Sequence, residues 1–224
     1  MLLLAACRGC RFPLIILLRV ILLCVVALEA DATPAVRQWR FDVTADGLPI
    51  GTHEYALHEN DGTRSVQSEM HFSVRLLVID AYRYEHHATE TWQNDCLSRL
   101  DTHTEEKGRV TTVTGHVEAN RFEVEGVAGR EDLPSCVMTF AYWNPRVLEQ
   151  SHLLNPQTGQ WTPVTTQLLG TEVIDVRGQP RKAAHYLIST EKNRIELWYA
   201  VNGGEWLAMR TTTSDGHHLA YRLH

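Results

Sequence analysis

The chain has 224 residues, 44% of them apolar, with 27 Asp and Glu against 21 Lys and Arg for a formal net charge of −6. That length holds one domain with a substantial core. An acidic chain without a basic run is a poor partner for nucleic acid or an anionic membrane surface, because both draw on dense Lys and Arg.

The first element in chain order is an export signal. Arg8, Arg11 and Arg19 precede the apolar run VILLCVVAL at 20–28, and Ala30-Asp31-Ala32 supplies a small-x-small cleavage pattern. Arg19 divides the apolar stretch, and neither half reaches the roughly 20 residues of a spanning helix; an uncleaved anchor is the alternative. Leu23 before Cys24 is a poor match to a lipoprotein site, and the CRGC at 7–10 lies inside the segment to be removed. The expectation is a signal peptide over 1–32 and a single β-rich exported domain over 33–224, with no stable transmembrane span after cleavage. Removing Arg8, Arg11, Arg19, Glu29 and Asp31 leaves 18 basic and 25 acidic residues, a net charge of −7.

From Val36 the apolar period is two, the pattern of half-buried strands. Trp39, Phe41 and Val43 alternate with Arg40, Asp42 and Thr44, and a second strand follows the turn-like DGLPIG at 52–59. After Asn60-Asp61-Gly62, Val66, Met70, Phe72, Val74, Leu76 and Val78 share a face of a long third strand. Further strands are expected at 82–94, 97–106, 109–118 and 121–126. Residues 129–159, with Pro134, Pro145, Pro156 and NPQTG, read as a long irregular connection with a short helical turn near 146–152. Strands resume at 161–169, 172–177, 183–190, 195–201, 206–213 and 219–223. The expected fold is all-β, an antiparallel sheet of roughly 10–13 strands curled into an open barrel or a β-sandwich, lipocalin-like or lipoprotein-carrier-like in general shape.

Two cysteines, Cys96 and Cys136, remain after signal removal, and an even pair in an exported chain reads as one disulfide; two buried free thiols are the alternative. The stretch YRYEHHATETWQNDCL at 82–97 gathers histidines, glutamates and aromatics. On a strand His86 and His87 point to opposite faces, and His86 and Glu90 stand roughly 13 Å apart, too far for a shared ion. No local metal site is expected there; one formed with a neighbouring strand is the alternative. Tyr82, Tyr84, His86, Glu90 and Trp92 share one face, either as a hydrogen-bonded network or as the aromatic wall of a ligand pocket. The late hairpin IELWYAVNGGEWLAMR at 195–210 adds Trp198 and Trp206 as candidate wall residues. HEYALH at 53–58 has one residue too many for a zinc-protease motif, and no GxSxG marks a nucleophile. No catalytic residue and no cofactor motif is assigned; an acid–base reading of His86 and Glu90 requires a cross-strand partner such as His71 or His103.

FDVTADGLPIGTHEY, YRYEHHATETWQNDCL, FAYWNP, LLNPQTG and IELWYAVNGGEWLAMR, in that order, resemble an uncharacterised family of exported bacterial β-rich proteins, the domain of unknown function of DUF6134 type. A looser similarity is to a second exported β-rich family of unknown function, through an early IG, a mid-chain N-x-x-x-G turn and a late LWY strand. The resemblance implies a periplasmic or otherwise extracytoplasmic protein of a Gram-negative-type bacterium. It carries no catalytic residues, and it supports the pairing of Cys96 with Cys136. The functional expectation is a module that binds or carries an apolar or lipid-like envelope ligand. The alternative is a structural or interaction protein of the envelope, docking an envelope protein, with 129–159 as a candidate surface.

Overall fold

Alternating strands and tight turns build an up-and-down sheet. The structure is a computed structural model that describes residues 35–76, 79–213 and 216–224. The expected signal segment lies outside them, as does Val78 of the third strand.

The strands are β1 (Ala35–Ala45), β2 (Leu48–Asn60), β3 (Thr63–Leu76), β4 (Ile79–Gln93), β5 (Cys96–Glu106), β6 (Arg109–Glu118), β7 (Arg121–Gly126) and β8 (Gly129–Pro134). After the connection come β9 (His152–Leu154), β10 (Trp161–Pro163), β11 (Thr165–Val176), β12 (Gln179–Ser189), β13 (Arg194–Ala200), β14 (Trp206–Thr212) and β15 (His218–Leu223). Thirteen of them form one antiparallel sheet in the order β11-β12-β13-β14-β15-β1-β2-β3-β4-β5-β6-β7-β8, with β9 and β10 as a separate hairpin. The sheet is continuous and does not close, since β8 and β11 are its two edges, which is the arrangement of an open barrel. No helix among the described residues is long and apolar enough to cross a membrane.

The turns explain the order. Asp46-Gly47, Asp61-Gly62, Lys107-Gly108 and Arg177-Gly178 have positive φ at both positions, 49°/83°, 46°/77°, 51°/78° and 58°/73°. Two-residue turns of that kind match the strand twist and force each strand back beside its predecessor. The chain ends close the middle of the sheet, where β15 pairs with β1, Tyr221 opposite Val43 and Leu223 opposite Phe41.

Three expectations shift. The connection starts after β8, because GREDLP at 129–134 pairs with β7. Its helical turn is a 3₁₀ turn over Pro145–Glu149, with Asn144 Oδ1 accepting from the Arg146 N–H at 3.1 Å. The strands expected at 161–169 and 172–177 are rearranged: Trp161–Pro163 pairs with β9, and β11 runs unbroken through a bulge between Leu168 and Gly170. A glycine that reads as a break is here a bulge.

The largest departure is where residues 135–164 lie. They are packed into the core: Val137, Met138, Val147, Leu153 and Leu154 are each at most 1% exposed. The disulfide Cys96–Cys136 ties the connection to the start of β5, beside the Leu97 N–H donating to the Val137 carbonyl at 3.0 Å. Asp95 accepts from Arg64 at 2.8 Å and from Asn144 at 3.2 Å, and pairs with Arg146 at 2.9 Å, so one carboxylate joins β3 to the connection. Trp143 meets Trp92 edge-on at 5.5 Å, and the Tyr199 hydroxyl of β13 donates to the Tyr142 carbonyl at 2.8 Å. The segment therefore touches strands from both halves of the sheet.

The NPQTG turn closes on β7 and β5. Asn155 Oδ1 accepts from the Gln157 N–H at 2.8 Å, the Val127 N–H reaches the Thr158 carbonyl at 2.9 Å, and the Thr102 hydroxyl donates to the Pro156 carbonyl at 2.8 Å. Contact is so close that a Cβ on Gly126 would stand 2.4 Å from the Thr158 oxygen. Gly126→Ala is expected to cost about 1–3 kcal/mol through forced backbone movement. Urea denaturation checks this, and an unchanged midpoint would show that β7 and the turn do not touch.

Candidate functional site

Strand alternation turns Tyr84, His86, Ala88, Glu90 and Trp92 of β4 inward. Register stacks them into layers. His53 of β2, Met70 of β3, His86 and Thr104 of β5 lie in one row; Leu57, Val66, Glu90 and Leu100 lie in another. Phe72 stacks on Tyr84 at 5.6 Å, and Tyr221 meets both Phe72, at 6.3 Å, and His53, at 5.9 Å.

Three polar side chains inside this aromatic interior, His53, His86 and Glu90, have hydrogen-bond partners. His86 Nδ1 lies 2.8 Å from Thr104 Oγ1, and His53 Nε2 lies 2.8 Å from Ser68 Oγ. Glu90 accepts from Trp92 Nε1 at 3.0 Å and from the Thr139 hydroxyl, in the connection, at 2.8 Å. Burial pushes Glu90 up to about 7, against the pull of the Thr139 and Trp92 donors. Burial, with the charges of His87 and His103, lowers His86 to about 4. His53 is likewise held well below its usual value by burial and by His86. His53 Nδ1 and Tyr84 Oη are buried without a hydrogen-bond partner.

Of the seven candidate wall residues, the structure brings together five. Tyr84, His86, Glu90, Trp92 and Trp206 are buried in this one interior, with Trp206 reached through Tyr55 at 5.4 Å and Tyr142 at 5.5 Å. Tyr82 sits half-buried at the end of the row, its hydroxyl 3.4 Å from Glu106 and Lys107 over its ring at 5.3 Å. Trp198 is a correction: it lies on the opposite face of the sheet, stacked on His185 at 4.2 Å, donating to Glu172 at 2.7 Å, with Arg210 over it at 4.9 Å. A bulge beside it, between Trp198 and Tyr199, leaves both faces of β13 covered. His71 and His103 are on the outer face, so the acid–base pairing of either with His86 or Glu90 does not form. HEYALH splits as its spacing requires, His53 buried and His58 exposed.

Sequence reasoning missed a groove on the surface. Two depressions, of about 340 and 420 Å³, meet at Pro145 and Gly204. Leu148, Tyr186, Tyr199 and Val201 give the first an apolar floor. Arg37, Arg64, Trp39, Trp143, Asn144 and Glu205, the last paired with Arg181 at 3.1 Å, line the second. Arg37 lies over Trp39 at 5.6 Å and Arg64 over Trp143 at 5.3 Å, an arrangement that holds two guanidinium groups against aromatic faces. Arg64 is neutralised by Asp95, whereas Arg37 forms no ion pair among the described residues. The FAYWNP and NGGEW segments supply the shared wall, and only their convergence in space marks them as neighbours.

The sequence profile of the family described as Domain of unknown function (DUF6134) matches residues 41–224. The chain belongs to this family. No curated protein matches the chain. Among solved structures, the DUF6134 chain is similar to the "Beta-barrel-like Protein of Domain of Unknown Function DUF1849 from Brucella abortus", at 12% sequence identity and a TM-score of 0.63, over 85% of this chain and 98% of that one. At that identity the likeness is one of fold.

Proposed function

We propose that this DUF6134 protein is exported to the periplasm and binds an amphiphilic, lipid-like envelope molecule in the two-part surface groove rather than inside the barrel. The supporting observation is the groove's division: an apolar floor at Leu148, Tyr186 and Tyr199 beside a cationic end at Arg37, joined at Pro145 and Gly204. An anionic head on an apolar body matches both halves, and the volumes are of the size that small-molecule sites use, about 300–1,000 Å³. The interior is reserved for the connection that fills it. Native mass spectrometry with organic extraction, on protein purified from periplasm, tests the reading. A co-purifying anionic amphiphile is expected, and its retention should fall roughly tenfold or more in Arg37→Glu and in Val201→Asp, both at exposed positions. A clean apo mass, or retention unchanged in both variants, counts against it.

One observation favours the interaction reading. The edge strand β11 carries exposed Leu168, Leu169 and Val173 and no Lys, Arg or Pro, whereas the other edge, β8, carries Arg130, Glu131, Asp132 and Pro134. Of the two edges β11 is the less guarded, protected only by its bulge and two acidic residues, and exposed edges pair with added strands. A protein partner of the envelope would dock there, not on the buried 135–164 segment.

A further inference from the structure

We propose that the outer face of β3, β4 and β5 binds one first-row divalent transition ion, of which zinc is the type, through His71, His87 and Glu69, with His103 as the fourth donor.

The argument starts from the alternation that divides His86 from His87. Because His86 turns inward, His87 turns out, and register places it opposite Glu69 on β3 and opposite His103 on β5. His71 lies diagonally across, opposite Glu85. A local HH pair is useless to an ion, but three strands set side by side bring three imidazoles and a carboxylate to one patch. The His71 and His87 rings stand 5.5 Å apart, edge to face at 72°. Two imidazoles bound to one tetrahedral ion through nitrogens at about 2.1 Å have ring centres about 5 Å apart. His71 Nε2 is 3.8 Å from Glu69 Oε2, against about 3.4 Å between two donors on such an ion.

Among the described residues no group of three or more His, Cys, Asp or Glu is placed to hold a metal ion with its side chains as they stand. The donors are free to turn: His71 is 49% and Glu69 56% exposed, and His87 and His103 are exposed on the strands beside them. Glu85 faces both His71 and His87, but it is paired with Arg83 at 2.7 Å and adds no net charge to the patch. Nitrogen donors in the majority select zinc, copper or nickel over calcium and magnesium, which require oxygen.

Isothermal titration of untagged, metal-stripped protein with zinc chloride is the test. One ion per chain is expected at micromolar zinc, with affinity lowered at least about tenfold by His87→Ala and by His71→Ala. His58→Ala, exposed elsewhere on the sheet, is expected to leave it unchanged. Far-UV circular dichroism confirms that each variant is folded. Absence of stoichiometric binding, or binding retained by the folded His71→Ala/His87→Ala double variant, overturns the proposal.

Discussion

Replacing Cys96 and Cys136 with serine is expected to lower stability by about 4 kcal/mol, from the loop-closure entropy restored to the unfolded chain by a bridge across 40 residues. For a domain of this size that is a fall in the melting temperature of about 8–16 °C. The effect concentrates where the bridge acts. Cys136 anchors the connection where it enters the core, and release frees Trp143, which packs on Trp92, so tryptophan fluorescence should report loosening of the segment before the sheet unfolds. Thermal denaturation followed by fluorescence and by far-UV circular dichroism, on the double variant and on reduced protein, measures both effects. A melting temperature within about 2 °C of the oxidised protein would mean that the Asp95 clasp and apolar packing hold the connection alone.

Glu90→Gln is expected to stabilise the protein at pH 8 and leave it unchanged near pH 4.5. The Glu90 pKa is raised from 4.5 to about 7 on folding, so between those values the folded state holds a proton that the unfolded state releases. Its contribution is full below pH 4.5 and is lost as pH rises through 7, a difference of about 3 kcal/mol from the shift of about 2.5 pH units. Glutamine reproduces the neutral carboxyl: its oxygen accepts from Trp92 Nε1, and its amide donates to a turned Thr139 hydroxyl. His86 works in the opposite sense. Its pKa is lowered from 6.5 to about 4, so its contribution is present above 6.5 and is lost as pH falls through 4. In the wild type the two slopes oppose each other between about 4.5 and 6.5. The variant should show the slope of the buried histidines, His86 and His53, without the opposing one, losing stability on acidification more steeply than wild type. Urea unfolding of both proteins at a series of pH values checks this. An equal difference at pH 4.5 and pH 8 would place the Glu90 carboxyl in water.

Much of the inward row was legible before the structure. Placing Tyr84, His86, Glu90 and Trp92 on one face needed only period-two alternation, which is a local property of extended backbone. Trp206 was legible only as part of a separate aromatic hairpin at 195–210, and its place in the same interior comes from its contacts with Tyr55 and Tyr142. Alternation along 195–201 puts Trp198 on the face opposite Ile195 and Leu197, but that His185, Glu172 and Arg210 cover it there is decided by strands far apart in the chain. The connection at 135–164 misled for a related reason. Its prolines and NPQTG are turn chemistry, and turn chemistry usually lies at the surface. Its apolar density, VMTFAYW at 137–143, was the available signal that this loop is buried.

Residue alternation and turn chemistry were sufficient for an all-β antiparallel sheet, because each hairpin is decided by neighbours in the chain; the Cys96–Cys136 bridge followed from the even cysteine count of an exported chain. Which face of the sheet became the interior, and what filled it, depended on contacts between residues far apart. The pairing of β15 with β1, the seating of 135–164 against both halves of the sheet, and the meeting of FAYWNP with the NGG turn are all long-range. Such contacts form only when burial of Trp92, Trp206, Leu153 and Leu154 repays the entropy of closing long loops, and that balance is a property of the folded chain as a whole.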